Sequence, residues 1–224
     1  LTEIKILRLG VREYSSVFET MKLLQKRRIS DDISDTLIFV THPEVVTIGP
    51  KARREGVIVD DYATFQTDRG GGITWHGPGQ LVVYPIIKWE GEFQSVRKVI
   101  RLLEDWTIAA FSECGIESYR DEAMQGVWVD EHKICSIGLS FLRWVSRHGM
   151  SININTPETR VEELSGCGMQ KGIHTCLHKL GHRFDLDGSE IDTFRIERAL
   201  ISTCEDILGR APSEILENDS EALA

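Results

Sequence analysis

Cys167 sits between two glycines in SGCGMQKG (165–172). A thiolate is a strong nucleophile, and flanking glycines leave the sulfur accessible and bring backbone N–H groups within reach of an oxyanion. A free cysteine is more often a small buried hydrophobe, so spacing alone leaves both readings open. Lys133 opens KICSIGLS (133–140). Its positive charge would favour a neighbouring thiolate, and its neutral form would accept a proton. A lysine at a strand start also serves solubility alone. The third stretch, RGGGITWHGPGQ (69–80), holds five glycines, a proline, a histidine, a tryptophan and an arginine. Glycine permits positive φ and close approach of backbone to a ligand. Gly70, Gly71 and Gly72 after Arg69 could therefore present several N–H groups to an acyl carbonyl, a carboxylate or a phosphate. The phosphate option lacks its patterns, since neither G-x-x-x-x-G-K-[ST] nor G-x-G-x-x-G at a strand-to-helix turn is present. The plain alternative is a tight turn between strands, with His76 merely hydrogen-bonded.

His174, His178 and His182 are spaced by four, with Cys176 between the first two. On a helix they would share a face, as metal ligands can. Gly181 interrupts that helix and no C-x-x-C accompanies it, so a polar helix face is expected and no metal. The five cysteines are odd in number and irregular in spacing, without a visible secretion signal. That argues for thiols in a reducing compartment rather than a disulfide framework. Cys135 in an alternating strand, and Cys114 and Cys204 at apolar helix ends, are expected in the core.

The elements that must hold these residues follow from periodicity. Tyr14, Val17, Phe18, Met21 and Leu24 predict a surface helix over about 13–28, followed by the polar loop RISDDISD. TLIFVTH (36–42) and VVTIG (45–49) predict strands around His42-Pro43-Glu44, and LVVYPIIK (81–88) a buried strand. Apolar residues from Val96 to Ala110 predict a long amphipathic helix over about 93–113, ended by Gly115. GVWV (126–129) and KICSIGLSFL (133–142) predict a hairpin turning at Asp130-Glu131-His132, and SRHGMSININ (146–155) another strand. Short helices are expected near 158–165 and from Thr175 to Leu180. A last helix would be capped by Asp192 and carry Phe194, Ala199, Ile201 and Leu208. Strands in the middle with helices around them predict a single α/β (α+β) domain, a mixed sheet flanked by helices, over residues 1–210. Residues 211–224 read as an acidic tail that frays.

At 224 residues the chain can bury a core without staples. The longest apolar run, Leu81 to Ile87, is far too short for a bilayer. The first residues, LTEIKILRLGVREY, are broken by charges and have neither a signal-peptide core nor a transit-peptide bias. Opening on leucine, the chain reads as trimmed at its start, and a cytoplasmic protein is expected. A net charge of −9 excludes general nucleic-acid binding, which needs a basic footprint. Residues 183–224 carry eleven acids against four bases, which leaves the first 182 nearly neutral.

Taken together, these segments resemble the lipoyl(octanoyl) transferases of lipoate synthesis. The likeness rests on THPEVVTIG (41–49), RGGGITWHGPGQLVVYP (69–85), GVWVDEHKICSIG (126–138), RHGMSININ (147–155) and the final GCG (166–168), in that order over about 36–182. The chain departs from the family pattern at Gly166, where proline is usual, at Cys135, where alanine is usual, and at Met150-Ser151. The resemblance implies a fold similar to the catalytic domain of biotin protein ligases and lipoate ligases. It implies transfer of an octanoyl group from the phosphopantetheine arm of acyl carrier protein to a specific lysine of lipoyl domains, in 2-oxoacid dehydrogenase complexes and the glycine cleavage H protein. Cys167 would carry the acyl group as a thioester and Lys133 would handle its proton. The substrate would lie along Arg69, Gly70, Gly71, Gly72, Ile73, Thr74, Trp75 and His76, along Ser136, Ile137 and Gly138, and along Gly149, Met150 and Ser151. A thioester is already activated, so neither ATP nor a metal is expected as cofactor. Partners of this kind tend to be acidic, so docking on this acidic chain would need a local basic patch. Arg53, Arg54, Arg143, Arg147 and Lys171 are its candidates. Two alternatives stand beside the transferase: an ATP-dependent lipoate ligase of the same fold, and a silent binder of acyl carrier protein or lipoyl domains.

Overall fold

Two sheets organise the computed structural model, which describes residues 2–163, 172–218 and 222. In chain order the elements are β1 (Thr2–Val11), α1 (Tyr14–Ile29), β2 (Asp35–Thr41), β3 (Val45–Ile48), α2 (Pro50–Arg54), β4 (Thr64–Gln66), β5 (Ile73–His76), β6 (Gln80–Ile86) and α3 (Val96–Glu113). They continue with β7 (Tyr119–Arg120), β8 (Val127–Val129), β9 (His132–Leu142), β10 (Val145–Asn153), α4 (Arg160–Glu163), α5 (Thr193–Ser202), α6 (Cys204–Leu208) and β11 (Arg210–Leu216). Short 3-10 turns cover Gly91–Phe93 and Leu177–Leu180. The large sheet has eight strands in the order β11-β1-β2-β6-β10-β9-β8-β7, parallel across β11, β1 and β2 and antiparallel beyond. No helix among the described residues is long and apolar enough to cross a membrane.

The central strands are apolar throughout because both faces are covered. Successive side chains alternate between two cores, as the two-residue period of a strand requires. Leu37 and Phe39 of β2 and Leu81 and Val83 of β6 face the core under α3 and α5. Ile38, Val40, Val82 and Tyr84 face the core under α1. Helix α3 presents Val99, Leu103, Trp106, Ala110 and Phe111 to the first core, each fully buried. Such burial stabilises by about 1.5–3 kcal/mol per large side chain. The predicted Asp192 cap is in place, accepting the Arg195 N–H at 2.7 Å. The predicted hairpin turns through Asp130 and Glu131, both at positive φ, as a two-residue turn of the right hand demands.

The expected mixed sheet flanked by helices is present, and finer expectations need correction. β4-β3-β5 form a second, three-stranded sheet beside the large one. Val45 to Ile48 pair with the glycine-rich stretch, residue for residue from His76 to Ile73, instead of joining the main sheet. The last helix is broken: the Thr203 hydroxyl bonds back to the Ala199 carbonyl at 2.8 Å, and α6 restarts after it. Residues 211–216 do not fray. With Arg210 they form β11, parallel to β1, with Leu216 buried and Glu214 paired to Lys5 at 2.9 Å. The boundary expected at 210 thus falls on the first residue of a strand. Thr175 to Leu180 yield only a 3-10 turn, so His174, His178 and His182 share no helix face.

Candidate active site

Strands β9 and β10 bring two of the expected segments into direct opposition. Gly149 lies across from Gly138, Met150 from Ile137 and Ser151 from Ser136. The third segment, residues 69–76, lies over this ladder, held by the Gly70 N–H donating to the Leu139 carbonyl at 2.9 Å. A side chain at Gly138 would stand 2.9 Å from the Gly70 carbonyl, so the close approach needs glycine there. Together they wall a cleft of about 500 Å³, and every residue expected along the acyl path, from Arg69 to His76, Ser136 to Gly138 and Gly149 to Ser151, lines it. Lys133 and His174 line it too.

Arg69 is a brace in this wall. Its guanidinium donates to the Thr47 carbonyl at 2.9 Å, the Thr47 hydroxyl at 2.8 Å and its neighbour's carbonyl at 3.1 Å, which ties the glycine stretch to β3. Trp75 is fixed by its indole N–H on Glu44 Oε1 at 3.0 Å. His76 is buried, and its Nδ1 lies 2.8 Å from Gln80 Oε1. The Gln80 amide nitrogen already donates to the Trp75 carbonyl and Asn153 Oδ1, so its oxygen must accept from His76 Nδ1–H. Burial first, then the charges of His42, Arg69 and His148, push the His76 pKa well below its ordinary value. Neutral His76 therefore keeps Nε2 as an acceptor beside Thr47 Oγ1, 3.4 Å away.

Two further histidines complete a buried layer next to the cleft. His42 donates Nδ1–H to the Arg12 carbonyl and accepts from the Tyr84 hydroxyl, both at 2.8 Å, and burial pushes its pKa down to about 4. His148 donates to Asp68 Oδ1 at 2.8 Å, and Arg147 pairs with the same carboxylate. The His148 hydrogen bond and the Arg147 charge hold the Asp68 carboxyl well below the usual range. Tyr14 stacks on His76 with ring centroids 5.8 Å apart. The sequence reading gave no role to Tyr14, His42, Gln80, Tyr84 or His148. Part of the signal was present: Tyr14 and Tyr84 stand at core-facing positions of a helix and a strand, and a buried polar group must be hydrogen-bonded.

Lys133 is 8% exposed. Burial lowers its pKa, while Cys135 and Glu104 oppose that shift. Its backbone receives the segment 172–175: the Lys133 N–H donates to the Ile173 carbonyl at 2.8 Å and its carbonyl accepts from Thr175 at 3.4 Å. Gly172 N–H in turn reaches the Glu162 carbonyl at 3.3 Å. Cys167 and Lys171 lie outside the described residues. Cys114, Cys135 and Cys204 are buried in the core as expected, and burial pushes their thiols up to about 11, 12 and 12.

The three spaced histidines go separate ways. His174 lines the cleft, His178 bonds the Ile191 carbonyl at 2.7 Å, and His182 lies 3.3 Å from Asp130. Among the described residues no group of His, Cys, Asp and Glu is arranged to hold a metal. Of the basic candidates, Arg53 braces the Ile48 and Thr67 carbonyls, Arg147 pairs with Asp68, and Arg54 and Arg143 are exposed.

Comparison with known proteins gives the family and the fold. Residues 13–186 match the family model described as the lipoyl protein ligase A/B catalytic domain. An octanoyltransferase from Rubrobacter xylanophilus is 34% identical over 210 residues, 89% of this chain and 91% of its own. One from Neisseria gonorrhoeae is 39% identical over 165 residues, 73% and 79% of the two chains. A putative lipoate protein ligase from T. acidophilum with bound lipoic acid superposes at a TM-score of 0.69 and 14% identity, over 99% of this chain and 92% of that one. Biotin protein ligase from Aquifex aeolicus superposes at 0.53 and 15% identity, over 93% and 70%. At such identities the two structures speak for the fold alone. The sequence matches go further: the chain belongs to the lipoyl protein ligase A/B catalytic domain family and is an acyltransferase.

Proposed function

We propose that the protein transfers an octanoyl group from octanoyl-acyl carrier protein to a specific lysine of a lipoyl domain, through a thioester on Cys167. The observation that carries the reading is the setting of Lys133: a buried amine in the wall of a cleft whose other walls are the glycine-bearing segments 69–76, 136–138 and 149–151. Burial disfavours the ammonium form, so this lysine is suited to accept a proton. Cys167 enters from its sequence setting between two glycines.

The reaction divides into two displacements. In the first, the Cys167 thiolate attacks the thioester carbonyl, a new C–S bond forms, and the bond to the phosphopantetheine sulfur breaks. The departing thiolate takes up the proton that Cys167 gave to Lys133. In the second, the acceptor amine attacks the acyl-enzyme carbonyl, a C–N bond forms and the C–S bond to Cys167 breaks. The surplus proton of the amine passes to Lys133. Backbone N–H groups of the glycine-rich wall are the oxyanion donors in both steps. The acyl chain lies along residues 69–76, against β9 and β10. Transfer from thioester to amide runs downhill, so the scheme calls for no ATP and no metal. Donor and acceptor are both soluble carrier domains, which suits a cytoplasmic enzyme.

The test is intact mass spectrometry of the enzyme with octanoyl-acyl carrier protein, without ATP or acceptor. Wild type is expected to gain one octanoyl group, mapped to Cys167 and discharged by an apo lipoyl domain; Cys167→Ser is expected to gain none. No adduct on folded wild type, with acylation appearing only when ATP and free octanoate are supplied, would replace the transferase with a ligase. Binding of either carrier without any acyl transfer would leave a silent binder.

A further inference from the structure

We infer that Glu104, a buried carboxylate on α3 bonded to the Gly126 turn, is a positioning residue that sets where the Lys133 amine sits and in which charge state. The inference rests on Lys133 being the group that handles the proton, as proposed above.

Glu104 is out of pattern. It is 4% exposed, on the face of α3 that otherwise buries Ile100, Leu103, Trp106, Thr107 and Ala110. Burial raises its pKa, and its Oε1 accepts from the Gly126 N–H at 2.8 Å rather than from a lysine or arginine side chain. Gly126 lies against the lysine: it adopts φ +127, and a Cβ there would stand 2.6 Å from Lys133 Cε. Helix, turn and lysine are thus stacked, and the carboxylate fixes the middle layer.

The charge adds something the hydrogen bond does not need. A glutamine would accept from Gly126 equally well. Among the described residues, the titratable groups that act on Lys133 or on which it acts are Cys135 from its own strand, Glu104 from α3, and His174 from the segment paired to β9. Cys135 is held as a thiol by burial, and His174 is neutral above about 4. Glu162 of α4 acts on His174 and is paired to Lys179 at 2.6 Å. Among the described residues, Glu104 is therefore the carboxylate that favours the ammonium form of Lys133 against its burial. The Gly126 hydrogen bond first, and then the charges of Arg120 and Arg101, oppose the rise that burial gives the Glu104 pKa, and Asp105 adds to that rise.

Trace labelling with acetic anhydride over a pH series, read by peptide mass spectrometry, gives the titration midpoint of Lys133 without requiring activity. Glu104→Gln keeps the bond to Gly126 and removes the charge. Its Lys133 midpoint is expected to fall by on the order of half a unit, and the pH limb of acyl-enzyme discharge is expected to move with it. An unmoved midpoint in folded Glu104→Gln overturns the inference. A midpoint that moves while discharge does not would uphold the coupling and sink the catalytic reading of Lys133 instead. Should Glu104→Gln not fold, Glu104→Asp and Glu104→Asn offer the same comparison at equal reach: Asn is expected to titrate lower, and equal midpoints overturn the inference.

Discussion

Lys133 must satisfy two opposing demands, a buried seat in the cleft wall and a proton it can both take and release. Its seat is made by Gly126, where any side chain would strike both Lys133 Cε and the Cys135 carbonyl. Gly126→Ala removes none of the proposed reacting groups, yet it forces the lysine aside and strains a φ of +127. Discharge of a preformed acyl-enzyme is expected to slow on the order of 10²-fold, the usual result of a misplacement of about 1 Å. Single-turnover mixing with apo lipoyl domain measures this, and an unchanged rate would mean that Lys133 tolerates displacement. Lys133→Ala is expected to lose about 10²–10⁴-fold in the same assay, with Lys133→Arg giving no rescue because a guanidinium does not release its proton. Gln80 acts at the same scale on His76. Gln80→Leu would leave His76 Nδ1–H, the Trp75 carbonyl and Asn153 Oδ1 without their partner. Each orphaned buried group costs about 1–3 kcal/mol, and urea unfolding is expected to show a loss within or above that range.

At the scale of elements, what could be read from sequence depended on whether a segment carries its own periodicity. The strand 81–88 and helix 93–113 are near their observed bounds because burial imprints a two-residue or a 3.6-residue pattern on the residues themselves. The cleft walls were legible for other reasons: the glycine run after Arg69 stands out by composition, and the family resemblance supplied 136–138 and 149–151; in the structure Gly138 is demanded by close backbone approach and Gly71 by a φ of +95. Strands β1 and β11 were missed because each is half polar and is defined by the other. Thr2 to Leu7 pair with Arg210 to Leu216, more than 200 positions away, and no local signal reports that. The hydrogen-bonded layer of His42, Tyr84 and His148 with Tyr14 was missed as a group because its partners come together only when α1, β6, β10 and the end of β2 meet. The β1–β11 pairing has a measurable consequence. Arg210 donates to Asp35 at 2.7 Å, and Arg28 holds the same fully buried carboxylate at 2.7 Å. Removing residues 210–224 would leave Asp35 with one cation and β1 with an open edge. The truncated chain is expected to lose about 3 kcal/mol or more in urea unfolding, whereas a fraying tail would be lost without effect.

For the whole molecule, the buried histidine layer ties stability to pH more directly than the net charge of −9 does. His42 and His174 titrate near 4 in the folded chain, and burial lowers His76 and His148 as well. In the unfolded chain all four return to about 6.5. The unfolded state then binds more protons between those values, so stability must rise with pH across that window. It is fully present above about 6.5 and is lost as pH falls towards 4, the opposite of what repulsion among excess carboxylates would give, since protonating acids relieves that repulsion. His42 alone contributes about 3 kcal/mol once both states have titrated. Urea midpoints at pH 7.5, 6.5, 5.5 and 4.5 are expected to fall monotonically, most steeply below 6.5. Replacing His42 by Asn, which keeps a donor towards the Arg12 carbonyl but cannot titrate, is expected to flatten the slope while lowering the plateau. A midpoint that rises as pH drops from 6.5 to 4.5 would show that relief of carboxylate repulsion outweighs the histidine layer. The same layer backs the cleft at His76 and His148, so the loss is expected to reach the cleft with the fold: acyl-enzyme formation in the mass assay should decline over the same window, in step with the urea midpoint.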